Sequence, residues 1–324
     1  MEKSVFTIAV GKQCYIDMAI ALARSFFLWN DGSQIEFYLA TDRKKEDLPS
    51  DLQKIKVILI TQDNYGKGFS PKLYLDRIAP SKCSLFIDAD SLVVGSLKNA
   101  FFSFKGHSIA TIGKNINDGE WFGDIERICE KLNIESIPRF NGGVYYLEND
   151  QQCKNVYQTA RSLLPDYDTL GFVRLRGYPN DEVLIAAAMA IQGEQPIPEA
   201  GDIMNSLLAG PGGVKVDVFR GRSLLKNPKS HIKYNSWYEL EEHRPKIIHF
   251  LGTPLNSFPY NREVDRLKLV CEKNWPLIIA RIWTNIKFDL SYQSVSYIKN
   301  SLRPFYHTLF GVRRIRYDSK QDRF

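Results

Sequence analysis

Two aspartates that directly follow a short apolar run are placed to bind a divalent cation. Leu85-Phe86-Ile87 is the kind of run that a fully buried strand uses, and Asp88-Ala89-Asp90 comes next. If the chain stays extended there, side chains alternate, so that Asp88 and Asp90 point to the same side. Ligands of open α/β sheets bind at the carboxyl ends of the strands, which is where this pair would lie.

The Asp-x-Asp pattern is a weak signal when it stands alone. A chain of this composition contains roughly one such pattern by chance. A second copy, Asp166-Tyr167-Asp168, has no strand-like run before it, and we interpret it as a solvated loop. The cation hypothesis therefore depends on the rest of the chain.

Length and composition indicate a globular protein. With 324 residues, 44% of them hydrophobic, the chain can form one large α/β domain or two small ones. No apolar run approaches the ~20 residues that span a bilayer, and the N-terminus lacks the pattern of a signal peptide, so we expect a cytoplasmic protein. The five cysteines form no C-x-x-C pair, which favours reduced thiols and argues against zinc.

The net charge of +6 is concentrated near the C-terminus. Residues 299–324 contain seven Lys and Arg but only two Asp, whereas the other residues carry 36 basic and 35 acidic side chains. The body of the chain is therefore nearly neutral, which argues against a nucleic-acid partner.

Strand and helix patterns alternate through the first part of the chain. Alternating or short apolar runs predict strands over 5–10, 35–40 and 57–60, and helical spacing predicts a helix over 16–29. Ser70 and Pro71 fit the N-cap and first position of a helix over 70–79. This alternation predicts a largely parallel sheet of a nucleotide-binding α/β architecture.

Three later motifs carry polar residues next to predicted strands and helices. Phe140-Asn141-Gly142-Gly143 opens a strand that runs to Leu147, and its glycines serve a bulge or let another group approach the backbone. Asn180-Asp181-Glu182 caps and charges the start of an apolar helix over 183–191. His249 lies near the end of a strand over 246–252, where an isolated His is usually structural. Two amphipathic helices are predicted over 263–273 and 276–286.

Taken together and in order, these motifs resemble those of the GT-A fold glycosyltransferases, most closely the family 8 retaining enzymes that include glycogenin and bacterial lipooligosaccharide galactosyltransferases. The resemblance covers residues 5 to about 254. It is carried by the first strand with Tyr15 after it, Pro71-Lys72-Leu73 before the Asp-x-Asp motif, Phe-Asn-Gly-Gly-Val, Asn-Asp-Glu-Val-Leu and His-Phe-Leu-Gly. It implies an α/β, Rossmann-like nucleotide-diphospho-sugar transferase fold with a mostly parallel central sheet flanked by helices.

The resemblance also implies domains and an activity. Residues 1–260 would form the glycosyltransferase domain, and 261–324 a helical C-terminal extension with a basic, aromatic tail. The enzyme would move a hexose from a nucleotide-diphosphate sugar, with UDP as the expected base, to a glycan or glycolipid acceptor with retention of anomeric configuration.

Site residues follow from the same resemblance. Asp88, Asp90 and His249 would hold Mn²⁺ or Mg²⁺ and with it the donor diphosphate. Lys72 would reach the donor near its phosphates and sugar, Asn141 would bind donor-sugar hydroxyls, and Asp181 would lie beside the anomeric carbon. The catalytic residues implied are Asn141, Asn180 and Asp181, and the donor-binding residues implied are Val10, Lys12, Tyr15, Lys72, Asp88, Ala89, Asp90, Asn141, Gly142 and Gly252.

The chemistry of these residue types agrees with the resemblance. Breaking a glycosyl–phosphate bond leaves a nucleoside diphosphate, and a divalent ion neutralises the growing negative charge as a Lewis acid. Carboxylate oxygens suit Mg²⁺ or Mn²⁺, and an imidazole tilts the choice toward Mn²⁺. In a retaining transfer, positioning matters more than a strong protein base.

The chain departs from the family pattern at three positions. The family often has Asp and Asn, which help to read uracil, where this chain has Lys12 and Cys14. Its His-x-x-Gly-x-x-Lys pattern ends here in Leu255, which removes a phosphate-binding lysine. Either another cation, Lys12 or Lys72, substitutes, or donor turnover is weak.

Residues 304–317 mix aromatic, aliphatic and arginine side chains, which predicts either a membrane-surface segment on anionic lipid or a helix packed on the domain. The first interpretation adds peripheral contact with the inner membrane face. Two alternative functions stay open: a sugar-nucleotide binding protein without turnover, and a phosphatase like the haloacid dehalogenases. The phosphatase would need its Asp-x-Asp motif near the chain start and a later Asp-Asp pair, and the sequence has neither.

Overall fold

The computed structural model of the chain describes residues 2–61, 65–66, 70–252 and 254–290, together with 292, 294, 301–302, 305–306 and 308–309. The chain forms two compact units, Met1–Thr253 and Pro254–Phe324. Every site residue that the sequence predicted, from Val10 to Gly252, belongs to the first unit. The site is therefore built within one unit, whereas Leu255 belongs to the second.

Strands form four sheets in the described part of the chain. They are β1 (Lys3–Ala9), β2 (Ile35–Thr41), β3 (Lys56–Leu59), β4 (Cys83–Ile87), β5 (Ser91–Val93), β6 (Ile109–Ala110), β7 (Gly113–Ile116), β8 (Ile137–Phe140), β9 (Val144–Glu148), β10 (Met204–Ser206), β11 (Gly213–Asp217), β12 (Arg222–Lys226), β13 (Glu242–His243) and β14 (Ile247–His249).

Helices connect the strands. The α-helices are α1 (Gln13–Asn30), α2 (Leu75–Ile78), α3 (Lys98–Phe104), α4 (Ile125–Leu132), α5 (Gln151–Ser162), α6 (Tyr167–Leu170), α7 (Asp181–Ile191), α8 (Tyr260–Leu267) and α9 (Leu277–Thr284). Short 3₁₀ segments are Lys45–Asp47, Ser50–Leu52, Ser70–Tyr74, Leu164–Asp166, Leu207–Ala209, Val218–Arg220 and Pro254–Asn256, and the wider π turns are Lys268–Glu272 and Asn285–Leu290.

The central sheet has the order β3-β2-β1-β4-β9-β6. The strands β3, β2, β1 and β4 run parallel, while β9 is antiparallel to both β4 and β6. The predicted mostly parallel sheet flanked by helices is thus confirmed. Because β1 and β4 are parallel neighbours, the segments that follow Ala9 and Ile87 emerge at the same edge of the sheet.

A small second sheet connects distant parts of the first unit. Its order is β10-β14-β5, and β14 runs antiparallel to β5, so that His249 lies opposite Ser91. The backbone N–H of Phe250 also donates to the carbonyl of Asp90 at 3.0 Å. This pairing brings the predicted histidine strand next to the residue that follows the aspartates.

An apolar core between the sheet and the helices fixes β4 and α7. Phe86 of β4 makes an edge-to-face contact with Phe6 at 5.4 Å between ring centroids. In α7, the side chains from Val183 to Met189 are fully buried, as expected for a helix that is apolar on all sides. The first residues of α7 are thereby held rigidly against the core.

Three local predictions differ from the structure. The Asp88–Asp90 segment is a turn rather than extended chain, because the N–H of Ser91 donates to the carbonyl of Asp88 at 3.1 Å. The strand expected from Phe140 is divided, with residues 141–143 forming a turn between β8 and β9. Residues 167 and 168 belong to α6 rather than to a loop, although both aspartates of that second Asp-x-Asp copy are exposed.

Candidate functional site

The aspartate turn at the end of β4 is held by the glycine turn before β9. The N–H of Asp88 donates to the carbonyl of Gly143 at 2.9 Å. Because β4 and β9 are antiparallel neighbours, the end of β4 faces the start of β9. The two polar motifs that the sequence places 50 residues apart therefore form one structure.

Asp88, Asp90 and His249 converge at this point. One ligand atom from each lies within 4.8 Å of the others. The Nε2 atom of His249 lies 3.1 Å from Oδ1 of Asp90 and 3.7 Å from Oδ2 of Asp88. Two carboxylates and one imidazole form a donor set that fits Mn²⁺ or Mg²⁺, with the nitrogen favouring Mn²⁺.

The His249 ring is oriented by Asn141. Its Nδ1 lies 2.6 Å from the Asn141 side-chain oxygen, which also accepts the backbone N–H of Gly143 at 3.1 Å. An oxygen that only accepts requires a proton on Nδ1. When His249 is neutral, its proton therefore stays on Nδ1 and the lone pair of Nε2 faces the two carboxylates, which is the form that a metal requires.

Close packing explains the two glycines before β9. A Cβ atom on Gly143 would lie 2.4 Å from Nδ1 of His249, and one on Gly142 would lie 2.7 Å from both Tyr145 and Glu182. A larger residue at 143 would displace the imidazole, and one at 142 would displace Tyr145 or Glu182. The glycines thus serve close approach to the backbone, which is one of the two roles that the sequence left open.

Lys72 links the aspartate turn to α7. Its ammonium nitrogen lies 2.6 Å from Oδ2 of Asp88, 3.2 Å from the carbonyl of Gly142 and 3.9 Å from Oδ2 of Asp181. The 3₁₀ segment that carries Lys72 is fixed by Arg161, which donates to the Leu73 carbonyl and to Asp76. Lys72 is therefore a positioned cation between two carboxylates.

The start of α7 supplies a buried aspartate, a partly buried glutamate and their cap. Asp181 is 2% exposed and accepts a hydrogen bond from the Tyr145 hydroxyl at 3.1 Å. Glu182 accepts the N–H of Gly142 at 2.8 Å. Asn180 is the N-cap, and its side-chain oxygen accepts the N–H of Glu182 while its amide nitrogen is buried without a partner in the described residues.

Burial and mutual charge shift the pKa values of this cluster. Burial raises the pKa of Asp88, reinforced by Asp90 and opposed by Lys72. Burial also acts to raise the pKa of Asp90, but the adjacent His249 outweighs it and holds the value low. Burial alone would lower the pKa of His249, yet the Asp90 carboxylate raises it. The charges of Asp88, Asp90 and His249 thus influence one another. A divalent cation bound among them would stabilise the charged form of both carboxylates.

Two further pKa shifts concern α7 and Lys72. Burial raises the pKa of Glu182 to about 7, with a contribution from the Asp181 charge. Burial opposes the charge on Lys72, but Asp181 and Asp88 more than compensate and raise its pKa. Lys72 therefore stays protonated, while Glu182 exchanges a proton near neutral pH.

The remaining predicted residues lie around the cluster. Val10 and Lys12 follow β1 at the same sheet edge, Lys12 is exposed, and Tyr15 is in the first turn of α1. Among the described residues, neither Lys12 nor Tyr15 hydrogen-bonds to the aspartates or to His249. Ala89 is buried within the aspartate turn, and Gly252 adopts a positive φ of 81° three residues after His249.

Sequence analysis missed Tyr145 and the contact of Glu182 with Gly142. Tyr145 reads as a buried strand residue, and nothing local shows that its hydroxyl reaches Asp181. Glu182 reads as a helix N-terminal charge. Both contacts depend on which helix end packs against the turn, and no local pattern encodes that.

Comparison with solved structures places this arrangement in a known fold. The galactosyltransferase LgtC, solved with donor and acceptor sugar analogs, superposes with a TM-score of 0.52 at 13% identity, over 80% of this chain and 93% of that chain. The apo form of the glycosyltransferase GlyE of Streptococcus pneumoniae TIGR4 superposes at 0.53 and 15% identity, over 90% of this chain and 64% of GlyE. The chain has the GT-A fold.

The GT-A fold resemblance predicted from the sequence is therefore confirmed. The bifunctional glycosyltransferase WbbM gives a TM-score of 0.50 at 13% identity, over 82% of this chain and 50% of WbbM. No protein-family model matches the sequence, and neither does any curated protein. The three structures are glycosyltransferases and not phosphatases, so the phosphatase alternative is not favoured.

Within the described part of the chain, no helix has the length and apolar character needed to span a bilayer.

Proposed function

We propose that the chain is a metal-dependent glycosyltransferase that moves a hexose from a nucleotide-diphosphate sugar, with UDP as the expected base, to a glycan or glycolipid acceptor with retention. The observation that carries this proposal is the convergence of Asp88, Asp90 and His249 at the carboxyl end of β4 in a GT-A fold. Ligands of open α/β sheets bind at that edge.

The donor set would hold Mn²⁺ or Mg²⁺ through one oxygen of each aspartate and through Nε2 of His249. When bound, the ion supplies a Lewis acid for the departing nucleoside diphosphate. Asn141 contributes before any reaction, because its oxygen fixes the tautomer that leaves Nε2 unprotonated. Its amide nitrogen then stays available to a sugar hydroxyl.

Lys72 and Asp181 would act on the sugar side of the donor. Lys72 contacts both Asp88 and the turn carbonyl of Gly142, so its charge is fixed next to the carboxylate that would bind the ion. Asp181 is held by Tyr145 and lies 3.9 Å from Lys72. A fixed carboxylate stabilises positive charge that develops at an anomeric carbon, which is the role proposed for Asp181.

Of the two candidates, Lys12 is the better substitute for the phosphate-binding lysine, whose position in the family pattern is occupied here by Leu255. Lys72 is already paired with Asp88 at 2.6 Å. Lys12 is exposed after β1, at the sheet edge where the aspartates emerge, and makes no ion pair within the described residues. An uncommitted ammonium at that edge can reach a donor phosphate.

A thermal-shift panel of nucleotide sugars with and without Mn²⁺ tests the proposal. We expect one donor to raise the Tm only when Mn²⁺ is present, because ligands stabilise the state that binds them. Asp88→Asn should cancel this shift. Asp166→Asn is the matched control, since it alters an exposed aspartate of the other Asp-x-Asp copy.

Two outcomes would contradict the proposal. A donor-dependent rise in Tm that is equally large without Mn²⁺, or that persists in Asp88→Asn, would show that Asp88, Asp90 and His249 hold no ion. Mn²⁺-dependent donor binding without release of free UDP in the presence of acceptor would instead favour a sugar-nucleotide binding protein without turnover.

We also infer peripheral contact of the second unit with an anionic membrane surface. Four apolar side chains of α9 are exposed by half or more, namely Ile278, Ile279, Ile282 and Trp283. Such a face, combined with a basic and aromatic segment, suits the interface of a bilayer. The segment 304–317 that prompted this prediction lies outside the described residues except for 305–306 and 308–309.

A further inference from the structure

A cavity of about 320 Å³ opens beside the candidate metal site. Asn141 belongs to its wall, and the oxygen of the same side chain binds His249. The wall also includes Lys114, Glu199, Asn205 and Trp237. Because Asn141 is shared, a molecule in this cavity would lie one side chain away from the metal ligands.

Two cations lie on Trp237, a tryptophan of the cavity wall; Lys114 also lines the cavity, whereas Arg139 reaches it only through its contact with this indole. Lys114 on β7 is the direct cross-strand partner of Arg139 on β8. Their charged groups cover the same indole, with the Arg139 guanidinium carbon 4.0 Å and the Lys114 nitrogen 4.8 Å from the ring centroid of Trp237. Like charges directly opposite each other destabilise an antiparallel pair. The fold therefore maintains an unfavourable pair of charges on a tryptophan that lines the cavity.

Protein carboxylates compensate this pair only in part. Glu239 lies 2.9 Å from Lys114, but the Glu239 side chain is 76% exposed, so the ion pair is weak. Across the part of the chain that the structure describes, Arg139 forms neither an ion pair nor a side-chain hydrogen bond, although burial acts to lower its pKa. A guanidinium keeps its charge and offers five N–H donors, and because Arg139 is only partly buried these donors are open to solvent or to an anionic ligand.

The other acidic group of the wall is already occupied. Glu199 lies 2.8 Å from Nδ1 of the buried His243 and also contacts the Asn205 amide. An anion next to Trp237 would meet both cations, with Arg139 as a planar fork and Lys114 as a point charge that is released from the exposed Glu239.

We propose that this cavity is the acceptor subsite and that the Lys114–Arg139 pair selects a saccharide acceptor that carries an anionic group, a carboxylate or a phosphate. The inference rests on the proposed glycosyltransferase function, which it deepens by naming the acceptor class. The stack on Trp237 holds the guanidinium in place before the acceptor arrives, which reduces the entropy lost on binding.

The indole N–H signal of Trp237, assigned with Trp237→Phe, reports on the cavity in NMR titrations of the full chain. The probes are methyl glucuronide, glucose 6-phosphate and methyl glucoside. We expect at least one anionic probe to shift this signal with an affinity about tenfold or more above that of the neutral glucoside, as a charge-assisted hydrogen bond implies. The two anionic probes separate carboxylate from phosphate selection.

Variants locate the effect. Arg139→Gln should remove the preference for the anionic probe while its donor-dependent thermal shift with Mn²⁺ stays unchanged. Arg139→Lys keeps the charge but not the planar fork, so it should retain part of the preference and confirm that the fold tolerates changes at this position. Lys215→Gln, an exposed lysine of β11, is the control and should behave as wild type.

Several results would overturn the inference. Equal binding of neutral and anionic probes, or no response of Trp237 to any of them, would remove the anionic acceptor. If UDP shifted Trp237 and lost affinity in Arg139→Gln, the pair would hold the donor phosphate instead. If an anionic probe binds but none of the nucleotide sugars does, the glycosyltransferase proposal is contradicted, while the anion site itself is supported.

Discussion

The side-chain oxygen of Asn141 lies 2.6 Å from Nδ1 of His249, across 108 residues of sequence. This contact decides which imidazole nitrogen faces Asp88 and Asp90. Metal ligands of this kind depend on the partner of their second nitrogen, and loss of that partner typically weakens metal affinity 10- to 100-fold, an order-of-magnitude expectation.

Asn141→Ala should therefore weaken Mn²⁺ binding by about 10- to 100-fold in calorimetric titrations. The loss follows because, in the described part of the chain, the Asn141 oxygen is the hydrogen-bond acceptor that Nδ1 of His249 contacts. Asn141→Asp is the matched control, since it keeps an accepting oxygen at the same place and should bind the ion more tightly than the alanine variant. Wild-type affinity in Asn141→Ala would show that the contact does not organise the site.

Gly143→Ala should disturb the same imidazole by steric overlap. The added methyl group would lie 2.4 Å from Nδ1 of His249, so the ring or the turn must move. We expect a loss of about 1–3 kcal/mol in the free energy of unfolding, measured in urea, together with weaker Mn²⁺ binding. Gly177→Asn, at a left-handed position in open space, should change neither property by a comparable amount. An alanine variant with unaltered metal affinity would contradict this packing argument.

Glu182 should make folding stability depend on pH. Its folded pKa of about 7 lies above the ordinary value of 4.5, so the folded chain binds more protons than the unfolded chain between these values. Stability contributed by the protonated form is full below about pH 4.5 and decreases as the pH rises toward about 7, by up to about 3 kcal/mol.

Urea unfolding of wild type and Glu182→Gln at about pH 5 and about pH 7 measures this effect. The variant keeps an oxygen for the Gly142 N–H but cannot ionise. We expect it to lose less stability than wild type over this interval. Equal losses in both proteins would place the titrating group elsewhere.

Truncation after Arg303 should abolish sedimentation with vesicles of anionic lipid while leaving sedimentation with neutral vesicles negligible. The truncation removes Arg313, Arg314 and Arg316, whose charges favour an anionic surface by about 1 kcal/mol each. An Ile278→Ser, Ile282→Ser double variant of the full chain separates the contribution of α9, because both side chains are exposed. Unchanged sedimentation in the truncated chain would remove the tail from membrane binding.

Local patterns were sufficient for much of the fold. The helical spacing of apolar residues predicted α1, and the short apolar runs predicted β1, β2 and β4, because each of these elements has a core-facing pattern within its own sequence. A strand ending at Leu147 was predicted, but its antiparallel position beside β4 was not. Its place is decided by a long connection and by packing, which leave no periodic signal.

The site was predictable as a set of residue types but not as a geometry. Asp88, Asp90 and His249 were named together from the sequence, and the structure brings their ligand atoms within 4.8 Å of one another; that they bind a metal stays a prediction. The extended geometry expected for Asp88 and Asp90 was wrong, since the chain turns there and the carboxylates meet through the turn. The cation pair formed by Lys114 and Arg139 was invisible, because cross-strand register is a property of two segments at once.

The antiparallel pairing of His249 with Ser91 has a consequence for biosynthesis. During translation the two aspartates leave the ribosome long before the histidine strand is made. A nascent chain that ends before β14 cannot bring all three residues together. The ion that we propose could therefore be held by all three ligands only after β14 has been synthesised and has paired with β5.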